Sequence, residues 1–295
     1  MSAESLLLFA VSTLIWGSTW LVITFQLGVV SPEASVVYRF ALAAILLAAW
    51  CAATGRSLRF GAAQHRVLAL QGALLFGLNY LCVYWAEQHV ASGLVAVLFS
   101  LIVFLNLAGV RIFFGTPISL RTLVGSALGV AGVTLLFWHD IGNGQGDIVR
   151  GVVFGLVATV LASGGNLLAV RNQRQKVAVL PGAAWAMAYG SLAIAAVALL
   201  TGARWGFDAR APYVLSLLYL AAFGSVIAFG AYLTLLGRIG AARAGYVGVA
   251  VPVVALGMST VFEHYRWTAT SLAGVALCIA GNLLVLLPKN AFSRA

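Results

Sequence analysis

Charged residues are scarce in this chain, and their scarcity predicts the solvent that surrounds it. Only 8% of the 295 residues are Asp, Glu, Lys or Arg, whereas 62% are apolar. A water-facing surface needs a larger share of charge, and this much apolar surface also excludes a disordered chain. The composition therefore predicts an integral membrane protein, with the lipid bilayer as its surroundings.

Signatures of catalysis and of ATP hydrolysis are also missing. The sequence contains no HExxH, GxSxG or GxxxxGK[ST] pattern, and its four histidines lie in loops or at the ends of apolar runs. No pair of acids lies within an apolar run, where a membrane enzyme would need an acid or a base. We therefore expect neither an enzyme nor an ATP-driven pump, and no cofactor.

Cysteine is scarce as well, and the basic residues are not clustered. Cys51, Cys82 and Cys278 are far apart in apolar surroundings, so they indicate small packing residues and not a metal site or a redox pair. The formal net charge is +10, but the basic residues are dispersed singly between apolar runs. We therefore expect no metal and no nucleic-acid partner.

What the chain does contain is ten apolar runs, each long enough to span a bilayer as a helix. They cover roughly residues 5–25, 34–53, 67–86, 91–114, 120–138, 148–170, 180–200, 212–236, 243–262 and 268–287. No Lys or Arg precedes the first run, which is also too long for the core of a signal peptide, so we interpret it as a retained helix. The predicted fold class is an all-α membrane protein with ten transmembrane helices.

The last run of each half repeats one pattern. GSALGVAGVTLLF at 125–137 matches GVALCIAGNLLVL at 274–286 with a constant offset of 149, so that Gly132 falls on Gly281. Since each half holds five spans, an odd number, the second half enters the membrane in the opposite sense, which predicts a five-plus-five inverted repeat. The predicted boundaries are 1–141 for the first repeat, 142–147 for a polar linker, and 148–295 for the second repeat and a short cytoplasmic tail.

The distribution of basic residues predicts the orientation of the chain. With a cytoplasmic N-terminus, twelve Lys and Arg residues fall in cytoplasmic segments and four fall outside, and six of the seven acids also fall outside. The four outside are Arg150, Arg204, Arg210 and Arg266. We therefore expect a multi-pass inner-membrane protein with both termini in the cytoplasm.

Aromatic and neutral polar residues within the runs are the candidates for substrate binding. The candidates are Trp16, Trp20, Asn79, Tyr80, Tyr84, Phe99, Asn166 and Tyr246. Aromatic residues near span ends often belong to the interfacial belt, and a buried Asn often holds helices together. The alternative is a central cavity of rings and neutral dipoles, which suits a zwitterion and a transporter.

A second group of residues is expected to have gating or structural roles. Arg39 lies within an apolar run, where a charge marks either a functional site or a structural pairing. Glu263, like Glu87, ends a span and is either solvated among the headgroups or a gate charge. The candidates for helix bending are Gly77, Gly224 and Pro252.

The small-residue faces of the fifth and tenth runs indicate close helix packing. Gly125, Gly129 and Gly132 recur at three- and four-residue spacing in the fifth run, and Gly274 and Gly281 lie in the tenth. Such faces pack against each other or against a second copy, so a monomer and a homodimer both remain open.

Several of these features together resemble a known family. The WGS motif at Trp16, the YRF motif around Arg39, the glycine-rich end of each half, the span of Pro252 and the FEHYRWTATSLAG run resemble the EamA branch of the drug/metabolite transporter superfamily. Within that branch, the chain looks most like the bacterial exporters of aromatic amino acids. Two departures stand out, because Phe114 occupies the place that Glu263 has in the second half, and Val103 occupies that of Pro252.

The resemblance implies a ten-span carrier that moves aromatic or related amino acids, such as Phe, Trp and Tyr, outward by alternating access. An exporter of hydrophobic cations, drugs or other metabolites is the nearest alternative, although an acid at depth would then be expected. A channel would need a continuous polar path, which the spans do not offer.

Overall fold

The computed structural model describes residues 2–115, 117–142, 146–239 and 244–286. These residues form ten helical spans and no strand, as the sequence predicts. Nine helices in this part of the chain are long and apolar enough to cross a membrane, and Tyr246–Phe262 forms a shorter apolar helix. Each predicted run corresponds to one of these helical spans.

We number the helical spans α1 to α10 in chain order. Their bounds are Ala3–Thr24 for α1, Pro32–Ala53 for α2, Ala62–Glu87 for α3, Ser92–Phe114 for α4, Leu120–Gly142 for α5, Gly146–Arg174 for α6, Val179–Thr201 for α7, the consecutive segments Ala211–Leu218, Tyr219–Ile227 and Ala228–Ile239 for α8, Tyr246–Phe262 for α9 and Ala269–Leu286 for α10.

The predicted linker is shorter in the structure. Gly142 is the last residue of α5, and Gly146 and Asp147 belong to the first turn of α6. The remaining linker positions, 143–145, lie outside the described residues.

Local sequence explains where several helices begin and end. Ser31 caps α2 by accepting a hydrogen bond from the Ala34 amide at 3.2 Å, and Pro32 occupies the first helical position. Gly115 and Gly202 follow the ends of α4 and α7 with φ of 72° and 67°. This left-handed conformation is accessible to glycine without strain, which stops the helices there.

The described chain divides into two compact units, and both draw on both sequence repeats. Unit 1 comprises Met1–Leu21, His89–Val152 and Ala228–Ala295, and unit 2 comprises Val22–Gln88 and Val153–Ile227. In unit 1, α5 packs on α10 and α4 on α9. In unit 2, α7 packs on α2 and α3. Spatial neighbours are thus distant in sequence.

Glycines and cysteines permit the closest helix contacts of unit 1. A Cβ on Gly125 would lie 2.7 Å from the Gly281 carbonyl oxygen, and a Cβ on Gly93 of α4 would lie 2.8 Å from the Leu256 Cα atom of α9. The Cys278 thiol donates a hydrogen bond of 3.5 Å to the Gly129 carbonyl. Cys51 and Cys82, in unit 2, are buried free thiols too, so all three cysteines pack as predicted.

Unit 2 contains buried polar contacts between helices. The Asn172 side-chain amide of α6 donates to the Gln71 Oε1 atom of α3 at 2.7 Å. The Ser191 hydroxyl of α7 donates to the Val37 carbonyl of α2 at 3.1 Å. In an apolar surrounding such bonds select one helix register, because a slipped helix would leave the groups unpaired.

Two π-helical segments interrupt α3 and α8 at equivalent places. They cover Ala73–Leu78 and Tyr219–Ile227, whose first residues are separated by 146 positions. Gly77 and Gly224, the predicted bending points, lie within them. A π-helical segment widens the helix and weakens its regular hydrogen bonding, so these spans have a built-in irregularity.

Span α4 is interrupted as well. Its helical segments Ser92–Phe99 and Ile102–Phe114 are separated at Ser100 and Leu101, and the Ser100 hydroxyl donates to the Val97 carbonyl at 2.7 Å. The helix α9, in contrast, continues through Pro252.

Candidate substrate-binding residues

The predicted site residues fall into two groups, one in each unit. Unit 1 contains Trp16, Trp20, Phe99 and Tyr246, and unit 2 contains Asn79, Tyr80, Tyr84 and Asn166. The gating candidates divide similarly, with Pro252 and Glu263 in unit 1 and Arg39, Gly77 and Gly224 in unit 2. Each group is described by itself.

Aromatic rings surround the two tryptophans of α1 in unit 1. The Trp16 ring lies 5.3 Å from the Phe229 ring and 5.2 Å from the Tyr232 ring, between centroids. The Trp20 ring makes an edge contact with Phe99 at 5.4 Å. Both tryptophans are half-buried. Rings at these distances attract each other, and their open faces can pack on a further ring.

The approach of α1 to α9 explains how the tryptophans are positioned. A Cβ on Gly17 would lie 2.5 Å from a Val254 methyl carbon, so only glycine fits at this crossing. Trp16 precedes this glycine, and Phe99 is the last residue before the interruption of α4. The ring cluster is therefore held by a tight helix crossing and a helix end.

Arg39 is buried among aromatic rings in unit 2. Its residue is 1% exposed, and the guanidinium carbon lies 4.5 Å from the Tyr80 ring centroid and 5.1 Å from that of Phe40. The Phe40 and Tyr80 rings are themselves 4.7 Å apart. Rings that face a cation partly offset the loss of its hydration. Arg39 therefore does not snorkel out of the helix bundle of its unit.

Tyr84 connects Arg39 to two further polar residues. Its hydroxyl donates a hydrogen bond of 2.5 Å to Gln26 Oε1 and interacts electrostatically with both Arg39 and Glu87. Glu87 is only 8% exposed, so the expectation of a solvated headgroup residue is wrong for it. Helix α3 ends at this residue. We call Gln26, Arg39, Tyr84 and Glu87 the polar cluster of unit 2.

Asn79 contacts its own helix in the structure. Its side-chain amide donates to the Leu75 carbonyl at 2.9 Å, within the π-helical segment of α3. At an offset of 146, Ser225 corresponds to Asn79 and donates to the Leu220 carbonyl at 3.0 Å in α8, one residue before the position that corresponds to Leu75. Both side chains therefore satisfy carbonyls that the widened helix leaves exposed. A substrate-binding role for Asn79 stays a prediction.

The two remaining candidates lie in α6 and α9. Asn166 is half-buried in α6, close to Gly165, which packs against Leu75 of α3. Tyr246 is half-buried at the first position of α9. Their substrate-binding roles also stay predictions.

Glu263 caps a neighbouring helix in unit 1. Its carboxylate accepts hydrogen bonds from the Ser92 amide at 3.2 Å, from the Ser92 hydroxyl at 2.6 Å and from the Ser259 hydroxyl. Ser92 is the first residue of α4, where the helix dipole favours a negative charge. Glu263 therefore joins α9 to α4, and a gating role remains a prediction.

Pro252 is buried beside a small cavity in unit 1. Ser100 and Asn282 also line this cavity, and the Asn282 side-chain amide donates to the Cys278 carbonyl at 3.0 Å. Three buried amide side chains were not predicted from the sequence, namely Asn282, Gln26 and Gln71. A lone amide in or beside an apolar run was the available signal.

Comparisons with known proteins identify the family of the chain. The EamA-like transporter family matches residues 4–138 and again residues 149–287. The chain therefore belongs to this family, and the two matches correspond to its two repeats. It is a membrane transporter of the EamA type.

Three relatives match between 64% and 96% of the chain. The uncharacterized inner membrane transporter YedA of Escherichia coli K12 is 30% identical over 285 residues, covering 95% of this chain and 89% of YedA. Protein PagO of Salmonella typhimurium is 22% identical, with 96% and 93% covered. A probable amino-acid metabolite efflux pump of the same organism is 27% identical, with 64% and 66% covered.

A solved structure agrees with the fold. One protein known from a crystal structure has a TM-score of 0.66 to this chain, with 96% of each chain covered and 17% sequence identity. At this identity the likeness concerns the fold alone.

Proposed function

We propose that this chain is a secondary transporter that exports amino acids, aromatic and related neutral ones, by alternating access around an aromatic-lined binding site. The observation that carries the proposal is the grouping of rings around the predicted residues. Within unit 1, Trp16 lies against Phe229 and Tyr232, and Trp20 lies against Phe99. Stacked and edge-on contacts with such rings favour substrates that carry a ring themselves.

Family membership and relatives support the class of activity. YedA is described as an inner membrane transporter, and a second relative as a probable amino-acid metabolite efflux pump. By analogy, we place this chain in the bacterial inner membrane and assign it outward transport of a small metabolite. The excess of Lys and Arg in alternate loops supports cytoplasmic termini.

Irregular helices support a mechanism with two conformations. The π-helical segments around Gly77 and Gly224 interrupt α3 and α8, and Ser100 marks the interruption of α4. Such places allow part of a helix to move while the rest stays packed. Pro252 and Glu263 lie at the contact of α9 with α4, and we assign this contact a role in gating.

Counterflow in proteoliposomes tests the proposal. Vesicles containing the purified protein are preloaded with unlabelled phenylalanine, tryptophan, alanine, lysine or methyl viologen, and uptake of labelled phenylalanine is followed. We expect phenylalanine and tryptophan to drive saturable uptake, and lysine and methyl viologen to leave it at the level of empty vesicles. Uptake driven by methyl viologen alone would support the export of hydrophobic cations instead, and unsaturable uptake would indicate a channel.

A further inference from the structure

The cavity beside Pro252 in unit 1 is lined by residues of three helices. Ser100 lies at the interruption of α4, Pro252 belongs to α9 and Asn282 belongs to α10. The volume of the cavity is about 10 Å³, which suits one small ion or one water molecule and is too small for an amino acid. Ser100 is 6% exposed and Asn282 is 2% exposed, so both polar side chains are removed from solvent.

The Asn282 side chain has an oxygen without a partner. Its amide nitrogen donates to the Cys278 carbonyl at 3.0 Å and to the Ser100 hydroxyl oxygen at 3.4 Å. The Cys278 carbonyl fixes the orientation of the amide, because it accepts from the nitrogen and would repel the oxygen. The Oδ1 atom is buried and has no hydrogen-bond partner among the described residues. A buried acceptor in this state is costly, which points to a bound group that supplies positive charge.

The side-chain donors of the cavity are already used elsewhere. Among its lining residues, Ser100, Cys278 and Asn282 carry a side-chain donor. The Ser100 hydroxyl donates to the Val97 carbonyl at 2.7 Å, and the Cys278 thiol donates to the Gly129 carbonyl at 3.5 Å. The side chains of the lining therefore offer acceptors and no spare donor. This favours a cation, because an anion would find no donor, and a water molecule would find none for its own lone pairs.

The backbone adds partial negative charge at the same place. The helical segment Ser92–Phe99 ends directly before Ser100, and the carbonyl end of a helix carries partial negative charge. Pro252 has no N–H group, so the Gly248 carbonyl, one turn earlier in α9, lacks its regular helical partner. Carbonyls at broken helices coordinate cations in other transporter folds.

The polar residues of the cavity depart from the sequence repeat. Valine occupies all three positions that correspond, at the offset of 149, to Ser100, Pro252 and Asn282, namely positions 249, 103 and 133. Valine needs no partner in an apolar span, whereas a buried hydroxyl or amide must find one. The second half of the repeat pair thus packs without these groups, so packing alone does not account for the oxygens of the cavity.

We propose that this cavity binds a sodium ion through Asn282 Oδ1, the Ser100 hydroxyl oxygen and backbone carbonyls of α4 and α9. Neutral oxygens suffice to hold an alkali cation, as rings of carbonyls do in channel filters. The described residues that line the cavity include no carboxylate, which Ca²⁺ and Mg²⁺ sites use. The prediction of no metal from the sequence was based on its dispersed cysteines, and an alkali cation needs no thiolate.

A sodium ion at this place joins the three helices of the cavity. It would hold α9 and α10 to the interruption of α4, at the same contact of α9 with α4 that Glu263 stabilises. Binding of Na⁺ here does not depend on which substrate the protein transports. It is therefore measured on purified protein without any transport assay.

Thermal unfolding in detergent tests the site. The purified protein is kept in choline chloride, which is replaced stepwise by NaCl or KCl at constant ionic strength. We expect NaCl to raise the melting temperature saturably, by about 3–5 °C at a concentration ten-fold above its Kd, and KCl to raise it less because K⁺ is larger. A NaCl curve that matches the KCl or choline chloride curve would overturn the inference.

Three substitutions change the oxygens of the cavity. Asn282→Leu removes the amide and Ser100→Ala removes the hydroxyl, so each is expected to weaken Na⁺ binding by about ten-fold or more. Asn282→Asp adds a negative charge and is expected to strengthen Na⁺ binding by about ten-fold or more. A wild-type response to NaCl in folded Asn282→Leu and Ser100→Ala protein would overturn the inference.

Ser126 provides a matched control in the same unit. Its hydroxyl donates to the Thr122 carbonyl of its own helix at 2.7 Å, as the Ser100 hydroxyl does to Val97, and it does not line the cavity. Ser126→Ala is expected to keep the wild-type response to NaCl. A loss of that response as large as in Ser100→Ala would show that the effect of the hydroxyl is not specific to the cavity.

The wild-type titration keeps the inference testable if the variants do not fold, because it compares three cations on one protein. Its outcome is also separate from that of counterflow. If the protein responds to Na⁺ as expected but does not exchange phenylalanine, only the proposed function fails. If it exchanges phenylalanine and its melting temperature is the same in NaCl and choline chloride, only the sodium site fails.

Discussion

Gly132 of α5 and Gly274 of α10 lie backbone against backbone. A Cβ on Gly132 would lie 2.5 Å from the Gly274 carbonyl oxygen, and a Cβ on Gly274 would lie 2.6 Å from that of Gly132. The contact of Gly125 with Gly281 is the repeat-related copy of this contact, because the offset of 149 places Gly125 on Gly274 and Gly132 on Gly281. As residue numbers rise along α5 they fall along α10, which is the antiparallel relation that an inverted repeat requires.

Substitution at this contact is expected to destabilise the protein. Gly132→Ala and Gly274→Ala place a methyl group against a backbone that cannot yield, and overpacking of this kind costs about 1–3 kcal/mol. The measurement is thermal unfolding of the purified protein in detergent.

A glycine that faces open space supplies the control for these variants. A Cβ on Gly257 of α9 would meet no neighbouring side chain or helix within 4 Å, so Gly257→Ala is expected to be neutral or stabilising. Equal melting temperatures for all three alanine variants would contradict the close packing of α5 on α10.

The Glu263 cap is expected to stabilise the contact between α9 and α4. Glu263→Gln removes the charge that accepts three hydrogen bonds at Ser92 and Ser259, at a cost of about 1–3 kcal/mol. Ser92→Ala removes one donor of the same network, so the two losses are expected to be less than additive in the double variant. Additive losses in thermal unfolding would show that the two residues act independently.

Loss of a tryptophan from the ring cluster is expected to reduce transport more than stability. Trp16→Ala removes the contacts with Phe229 and Tyr232, and each ring pair contributes about 0.5–1.5 kcal/mol. If the ring of the substrate packs on the Trp16 ring, Trp16→Ala lowers the apparent affinity for phenylalanine in counterflow by about three- to ten-fold.

Trp138 provides a matched control for that substitution. It lies in α5 of the same unit and is 67% exposed, so Trp138→Ala is expected to leave counterflow unchanged. Wild-type flux in folded Trp16→Ala protein would remove this residue from the binding site.

Asn79 is expected to act through the shape of α3. Asn79→Ala leaves the Leu75 carbonyl without its side-chain donor, so we expect lower flux and a loss of about 1 kcal/mol in unfolding free energy. Asn79→Ser introduces the residue that its counterpart Ser225 has in α8, and it is expected to retain more flux than the alanine variant. Equal flux in the serine and alanine variants would exclude the hydrogen bond as the cause.

Hydropathy and repetition predicted the architecture because the bilayer restricts what a chain can do. Each of the ten apolar runs must form a helix, since lipid offers no partner to an unpaired backbone group. The match of residues 125–137 with 274–286 likewise predicted that α5 and α10 pack through their glycines. A second copy of the chain is not needed to cover these glycine faces, because the face of α5 packs on the face of α10.

Side-chain partners could not be predicted in the same way. Glu263 and Glu87 both end apolar runs and look alike in the sequence, yet one caps α4 and the other lies buried beside Tyr84. The π-helical segments were also not predicted, since a widened helix keeps nearly the same apolar pattern as a regular one.

The sequence by itself determined the membrane class, the ten spans, the repeat and the family, because these depend on composition and on residue spacing along the chain. Only the tertiary structure decided that Arg39 stacks on Tyr80, that Gln26 pairs with Tyr84 and that Glu263 reaches Ser92. A single polar residue in an apolar run must find a partner, but the partner belongs to whichever helix packs against that face, and such packing joins residues far apart in the sequence.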